Sequence, residues 1–406
     1  MGLINTLDSG ANHLDFMNAP QYTTKTNMRP ITSPAAVSRT VPVGRRAGIA
    51  DSPLHGGRAP AWLFQRMTKL AREMALCIVE EFGPAEVLHR LSDPYWFQAF
   101  GCVLGFDWHS SGVTTTVCGA LKEGLKGIEH EVGVYVCGGK GRASRRTPDE
   151  IRDFSEKTGL LPEPLVYASR TSAKVDSAAV QDGYQIYHHC FVFTGSGEWT
   201  VVQQGMNEGN GYARRYHWLG EAIADYVCEP HAAVCSDEVG VTLNLVAAES
   251  EAARTLLPQI VRNERPEKLF GELERIAHLE MPRRHHVLAE DVHPKHLQKI
   301  LLRTYERQPE NFETLLGMEG VGAKTLRALS LIAELVYDTP VSLRDPARYS
   351  YAHGGKDGHP FPVDRRTYDQ SIEALRHAVR RAKLGQRESL NALKRLGKWE
   401  EEASSE

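Results

Sequence analysis

The apolar positions near the start of the patterned part of the chain recur with the period of an α-helix. The segment 60–83, PAWLFQRMTKLAREMALCIVEEFG, begins with a proline and ends at Gly83-Pro84, residue types that favour helix starts and stops. We therefore predict a helix over 60–83 and a second, shorter helix over 84–91. Further helices are predicted to begin near Thr147-Pro148 and to cover 219–229.

Strand-like patterns lie between these helices. The segments VGVYVC (132–137) and 184–204 are rich in β-branched and aromatic residues. Thr-Gly-Ser-Gly at 194–197 interrupts the longer segment, so we predict a hairpin whose turn occupies that tetrapeptide. The apolar FGCVLG (100–105) is interpreted as a strand that ends in the same neighbourhood.

After about Ala247 only helical patterns remain. They are ESEAARTLLPQIVRN, PEKLFGELERIAHL, HPKHLQKILLRTYE, NFETLLGM, AKTLRALSLIAELVY and TYDQSIEALRHAVRRAKLG. The predicted fold is an α/β domain with a mixed sheet over 43–246, followed by an all-α domain over 247–399. Residues 1–42 are expected to form a poorly ordered leader, and 400–406 a disordered tail.

Composition narrows the class of protein without indicating a partner. The chain has 406 residues, 41% apolar residues and a formal net charge of −3, so any basic surface must be local. It has no run of about 18 apolar residues and no basic-then-apolar secretory signal, so we expect a cytoplasmic protein without a membrane span. Its seven cysteines, without a CxxC pair, fit reduced, buried thiols better than disulfides or a zinc knuckle.

The segment 317–325, GMEGVGAKT, connects two of the C-terminal helical patterns. Its glycines permit backbone conformations that side chains forbid and leave the outer side of the turn bare. Amides at the start of the next helix would then point outward, where the helix dipole favours an anion, and Lys324 adds a positive charge. An ordinary αα-hairpin with a glycine turn is the structural alternative. The predicted site for a backbone phosphate comprises Gly320, Val321, Gly322, Ala323, Lys324 and Thr325.

The Gly-Val-Gly-x-Lys-Thr core of this segment resembles the helix-hairpin-helix element of DNA repair and recombination proteins. The resemblance implies binding to DNA, and RNA stays open because a phosphate site does not read the sugar. Arg376 and Arg380 share a helix face in SIEALRHAVRRAKLG and are predicted to contact a second stretch of phosphates. A solvated helix face is the alternative for these two arginines.

Polar side chains collect in the predicted hairpin and before it. A turn at 194–197 would place His188 opposite about Gln203, and Tyr187 opposite about Gln204, where an interior hairpin normally carries apolar residues. The candidate catalytic residues are Asp107, His109, Lys174, Asp176, Asp182, His188, His189, Gln203 and Gln204.

Carboxylates, imidazoles and a lysine together supply what phosphodiester cleavage needs. Asp176 and Asp182 are predicted to hold one or two Mg²⁺ or Mn²⁺ ions, which would activate water and neutralise charge at phosphorus. A lysine or histidine would orient the water, and Gln203 would support the metal's outer shell. The alternative is that these groups satisfy one another on a wet sheet face. The glycine-rich CGGKGRASRRTP lacks P-loop spacing, so no nucleotide cofactor is expected.

A further resemblance concerns Lys324 and the Pro-Val-Asp motif at 362–364. Helix-hairpin-helix base-excision glycosylases look similar in this pair of motifs. The resemblance implies that Lys324 attacks the sugar carbon and that Asp364 assists. This chain departs from that family by inserting DTPVSLRDPARYSYAHGGKDGH before the aspartate.

Several longer motifs resemble one family. They are PLHGGRAPAWLFQRM, LGFDWHSSGVTTTVCGALKEGL, SAKVDSAAVQDGYQIYHH, WTVVQQGMN and YSYAHGGKDGHPFPVDRRTYD. Together they make the chain similar to the domain of unknown function 763 family from about residue 41 to 396. The resemblance implies that both halves form one working unit and that the leader is an addition.

The preferred hypothesis is a DNA-acting enzyme, a metal-dependent nuclease of repair or recombination type whose α/β domain performs the chemistry. The first alternative is a glycosylase or abasic-site lyase that uses Lys324 and Asp364. The second is a non-catalytic DNA-binding protein in which the polar hairpin is structural.

Overall fold

The computed structural model describes residues 59–106, 111–236, 238–277, 294–348, 365–382 and 385–404. The predicted leader (1–42) and the candidate residues Asp107, His109 and Asp364 lie outside the described residues.

Helices account for most of the described chain. The first group is α1 (Ala61–Phe82), α2 (Pro84–Ser92), α3 (Pro94–Leu104), α4 (Gly112–Leu125), α5 (Glu129–Val132), α6 (Arg142–Arg145), α7 (Thr147–Thr158) and α8 (Pro162–Lys174), which continues into a π-helix (Val175–Ala179). The second group is α9 (Glu251–Asn263), α10 (Pro266–Ala277), α11 (Pro294–Arg307), α12 (Phe312–Gly317), α13 (Ala323–Tyr337), α14 (Arg365–Arg381) and α15 (Gln386–Ser404). None of the helices in this part of the chain has the length and hydropathy of a membrane span.

The strands form one five-stranded sheet and one small pairing. The sheet has the order β1-β3-β4-β5-β6, and β2 pairs with β7. Their bounds are β1 (Val134–Lys140), β2 (Val180–Gln181), β3 (Gln185–Thr194), β4 (Trp199–Asn207), β5 (Tyr212–Leu219), β6 (Ala233–Cys235) and β7 (Leu243–Asn244). The predicted combination of helices and strands is confirmed. The prediction of a mixed sheet is wrong, because every pairing between the described strands is antiparallel.

The central hairpin, β3 and β4, differs from its predicted register by one residue. His188 pairs with Gln204, and His189 pairs with Gln203. Because side chains alternate along a strand, His188 and Gln204 face one side of the sheet while His189 and Gln203 face the other. The polar residues of the hairpin therefore divide between two environments.

The hairpin loop explains this shift. The Thr194 N–H donates to Glu198 O (2.9 Å), so the ladder extends further than predicted and only 195–197 remain in the loop. Gly197 has φ of 95°, the left-handed conformation typical of a three-residue hairpin loop. The sequence had suggested a four-residue turn because Thr-Gly-Ser-Gly separates the two strand-like segments.

Helices cover both faces of the sheet. On one face the core joins Val136, Cys190 and Val202 to α1–α4, α14 and α15. On the other face the core joins Phe191 and Val201 to α7–α13 and the π-helix. Polar side chains on the central strands consequently have little access to water and need partners within the protein.

The described elements after β7 are helices, as predicted. They divide between the two layers, since α9–α13 belong to one core and α14 and α15 to the other. The last helix, α15, follows the last helical pattern found in the sequence and continues to Ser404, beyond the predicted end of the all-α domain at residue 399. Whether the chain separates into domains near residue 247 stays a prediction.

Local predictions succeeded where a helix has one buried face. The helices α1, α2 and α7 begin within a residue of their predicted starts. FGCVLG is not a strand but the end of α3, which Asp93 caps by accepting from the Tyr95 N–H (2.8 Å). This helix lacks a helical period because it is apolar nearly all round and buried among other helices.

The prediction of a helix over 219–229 is also wrong. Within that range Leu219 ends β5, and the one helical element is a 3-10 turn, Gly220–Ala222. Asp225 Oδ1 then accepts from the Val227 N–H (2.7 Å), a local bond that competes with helix formation.

Replacing Gly197 by alanine should destabilise the fold by about 1 kcal/mol, because only glycine adopts its positive φ without strain. Gly195→Ala is the matched control, since Gly195 lies in the same loop, has no positive φ and has open space around it. Urea denaturation followed by circular dichroism measures both. Equal effects at the two positions would contradict the three-residue loop.

Candidate functional site

The corner between α12 and α13, residues 318–322, is anchored by buried side chains and is otherwise at the surface. Val321 is fully buried, and its N–H donates to Met318 O (3.2 Å). Gly320 is exposed and has φ of 89°, a conformation that a side chain would strain. The outer side of the corner is therefore bare backbone, as the sequence pattern predicted.

The first turn of α13 presents backbone amides at this corner. Gly322 is the N-cap residue, and no side chain caps the helix. The amides of Ala323, Lys324 and Thr325 consequently have no partner within the helix. Lys324 is exposed, whereas Thr325 is buried beneath the corner.

Two side chains from other elements join the corner, and no sequence pattern indicated either of them. Arg303 of α11 lies beside Gly320, where an added Cβ would be 3.9 Å from the Arg303 Nη1. Gln181 of β2 donates to Ala323 O (2.9 Å) and accepts from Arg327 Nε (2.9 Å). These contacts depend on tertiary packing, so only the fold reveals them.

Asp176 lies on the π-helix at the centre of a buried chain of hydrogen bonds. Its Oδ1 is 2.5 Å from His231 Nε2. Its Oδ2 accepts from Trp218 Nε1 (2.9 Å) and Gln203 Nε2 (2.5 Å). Gln203 Oε1 is in turn 2.9 Å from His189 Nδ1. Both oxygens of this fully buried carboxylate thus have partners, as burial requires.

The same chain of bonds continues to His189 and Ser169. His189 Nε2 is 2.9 Å from Ser169 Oγ, and burial lowers the pKa of His189, so its ring is neutral at pH 7. Lys174, at the end of α8, is partly exposed, and burial lowers its pKa as well. Lys174 therefore reaches solvent, whereas the candidate residues Asp176, His189 and Gln203 are buried.

His231 connects the buried network to a surface cleft. The residues that line the cleft include Glu229, His231, Asn244, Arg344, Pro346 and Arg348. The Trp218 ring packs edge-on against His231, with centroids 4.7 Å apart. Arg344 and Arg348 both bind Glu229. An imidazole held by a buried carboxylate, in a cleft that two arginines also line, is suited to acid–base chemistry on a phosphate ester.

Asp182 belongs to a separate, buried ion-pair network. Its Oδ2 accepts from Arg214 Nη1 (2.9 Å) and from the Tyr216 hydroxyl (2.6 Å). Arg214 also donates to both oxygens of Asp345, at 3.0 and 2.9 Å. Asp176 and Asp182 form no three-residue metal-ligating group within the described ranges. Their role as Mg²⁺ or Mn²⁺ ligands stays a prediction, and the bonds that occupy both carboxylates do not favour it.

His188 and Gln204 lie on the opposite face of the sheet from Gln203. Gln204 Nε2 donates to Ser111 O (2.8 Å), just before α4. His188 is buried, and burial lowers its pKa to about 3. The described candidate residues on the hairpin therefore divide between the two faces of the sheet, whereas the sequence suggested one site.

Arg376 and Arg380 lie on α14, in the helical layer across the sheet from α13. Arg376 binds Glu373 on its own helix, and Arg380 is exposed. Their contact with a second stretch of phosphates stays a prediction.

The fold and these sites define an α/β protein whose antiparallel sheet lies between two helical layers. A family model described as Protein of unknown function (DUF763) matches residues 48–363. The chain belongs to this family, as its longer motifs indicated. No curated protein and no solved structure matches the chain.

Replacing Arg214 by methionine should destabilise the fold by about 3–5 kcal/mol, because Asp182 and Asp345 would become buried carboxylates without a cation. Arg348→Met is the matched control, since its ion pair with Glu229 is exposed and should contribute less than about 1 kcal/mol. Chemical denaturation measures both. If the two variants lose the same stability, Asp182 is not held as a structural carboxylate.

Proposed function

We propose that the protein binds the phosphate backbone of DNA through the α12–α13 corner, which acts as a helix-hairpin-helix element. The observation that carries this proposal is the exposed, glycine-containing corner beside uncapped amides and Lys324. Amides at a helix start bind anions through hydrogen bonds and through the helix dipole. Contacts of this kind do not read bases, so binding should be independent of sequence.

Local charge supports an anion at the corner even though the chain carries a net charge of −3. Lys324 is exposed there, and Arg303 lies beside Gly320. Arg303 is 3.8 Å from Glu319, whose side chain is 81% exposed. A surface pair of this kind contributes less than about 1 kcal/mol, so a phosphate can replace the carboxylate.

Lys324→Glu should weaken binding to a DNA duplex by about tenfold or more and should reduce the salt dependence of the dissociation constant, because a phosphate contact is lost. Fluorescence anisotropy at several salt concentrations measures both effects. Lys126→Glu is the control, since it makes the same charge change at a side chain that is 74% exposed elsewhere. Equal losses in the two variants would refute a local site. Single-stranded DNA and RNA of the same sequence serve as parallel ligands.

A specific observation favours a second, catalytic function, the cleavage of phosphodiester bonds. His231 lies in a cleft with Arg344 and Arg348, and Asp176 orients its ring. In this proposal His231 transfers a proton to or from the reacting oxygen, and the arginines bind the phosphate. Dependence on Mg²⁺ or Mn²⁺ belongs to the same proposal. The proposal also includes a cytoplasmic location, since all seven cysteines are free thiols.

His231→Gln should lower the cleavage rate by about 10²–10⁴-fold and leave DNA affinity unchanged, because it removes the proton-transfer group only. His89→Gln is the control, since His89 is also paired with a carboxylate, Glu221, at 2.7 Å. The assay uses plain, damaged, single-stranded and branched DNA, with Mg²⁺, Mn²⁺ or EDTA. Equal rates in both variants would exclude a catalytic His231.

The same DNA panel separates the glycosylase or lyase alternative. A lyase would act in EDTA on damaged DNA and form a borohydride-trapped adduct that Lys324→Ala abolishes. If no condition gives cleavage or an adduct while binding persists, the protein is a DNA-binding protein only.

A further inference from the structure

Three potential metal ligands meet on the sheet face that α4 covers. His188 and Cys190 are two residues apart on β3 and so share that face, and Cys118 approaches from α4. The Sγ atoms of the two cysteines and a ring nitrogen of His188 all lie within 4.8 Å of one another. Cys118 and Cys190 are buried free thiols.

His188 has an unusual environment for a buried histidine. Its exposed fraction is 1%, yet neither ring nitrogen has a hydrogen-bond partner within the part of the chain that the structure describes. Buried polar groups are almost always partnered, because an unpartnered one costs about 1–3 kcal/mol. His189, the next residue, shows the normal arrangement, with a partner on each ring nitrogen.

We propose that Cys118, His188 and Cys190 bind a zinc ion that fastens α4 to the sheet. Thiolate and imidazole are the ligands that zinc prefers in structural sites. A ring nitrogen of His188 would gain a metal bond in place of the missing hydrogen bond. The further role is structural and does not depend on DNA binding or cleavage.

The charges balance within this buried site. Binding converts the thiols of Cys118 and Cys190 to thiolates and releases two protons to solvent, while His188 binds through a neutral ring. Two thiolates and one Zn²⁺ sum to zero charge, which suits a site enclosed on the sheet face. A magnesium ion would be a poor occupant, since it prefers oxygen ligands and retains water.

The geometry permits tetrahedral coordination. Donor atoms around a tetrahedral zinc lie about 3.5–3.8 Å apart, so groups already within 4.8 Å need only small movements. An oxygen can complete the shell, because Gln204 Oε1 and Thr114 Oγ1 are both buried and without a hydrogen-bond partner among the described residues. Gln204 pairs with His188 across the sheet, and Thr114 lies one turn before Cys118 on α4.

Sequence spacing conceals this site. Zinc sites that are visible in a sequence have paired ligands such as CxxC, whereas Cys118 here is far along the chain from His188 and Cys190. The two strand ligands are separated by one residue, a spacing that works only because alternate residues share a face. The observed register of β3 and β4 also matters for the proposed site, because it places Gln204 opposite His188 on the same face.

The test is a metal-binding measurement on the full chain, purified in reductant. We expect about one zinc per chain after dialysis, and Co²⁺ substitution should give the absorption of tetrahedral, thiolate-bound cobalt. Removal of zinc by a chelator should lower the unfolding temperature, because metal binding adds to folding stability. Cys118→Ser and Cys190→Ser should each lose the cobalt absorption.

Cys137→Ser is the matched control, since Cys137 is a buried free thiol on β1 that belongs to the core on the opposite face. It should retain the zinc and the cobalt absorption. The proposal is overturned if the reduced wild-type chain neither contains zinc nor binds added Zn²⁺ or Co²⁺. This measurement does not depend on whether any variant folds. A Cys118–Cys190 disulfide with no metal after reduction would overturn it too, as would equal loss in Cys137→Ser.

Discussion

The exclusion of water from both faces of the central sheet is the constraint on which the rest of the structure depends. The strands β3, β4 and β5 carry histidine, glutamine and arginine side chains where helices cover both sides. Each of these groups must find a partner inside the protein or weaken the fold. On one face Gln203 and Trp218 satisfy Asp176, and Arg214 satisfies Asp182. On the other face neither ring nitrogen of His188 has a partner among the described residues, which points to a missing ligand.

The π-helix Val175–Ala179 joins the two parts to which we assign function. It holds Asp176 toward His231, and it packs against α12 and α13. Just after it, the Gln181 carboxamide donates to both Ala178 O (3.0 Å) and Ala323 O (2.9 Å). Wide helical turns of this type often occur at functional sites, because the extra residue redirects side chains. Backbone binding at the corner and chemistry at His231 would therefore share one support.

The features that the sequence could predict are those encoded locally. The helix α1 shows a helical period because one face is buried, and the corner at Gly320 is recognisable because its glycines and Lys324 are neighbours in the chain. By contrast, α3 is buried nearly all round and has no period to read. The Asp176–His231 pair could not be predicted, since these residues lie 55 positions apart and meet only through tertiary packing.

The polar hairpin shows how a small local error changes a functional interpretation. A loop of four residues in place of three put His188 with Gln203, and so merged residues from both faces into one site. The turn composition around Thr194 does not distinguish the two loops, because the decision rests on a hydrogen bond from Thr194 to Glu198.

That loop also limits how relatives of this chain can diverge. Exchanges of residue type at 196, which lies at the tip, would leave the neighbouring ladder undisturbed. An insertion or deletion of a single residue at 195–197 would instead shift the register of β3 against β4 by one residue. The side chains of one strand would then face the opposite side of the sheet, unless a second β-bulge restored the register. We therefore expect residue 196 to vary in type among relatives of this chain, while the length of the loop 195–197 stays the same.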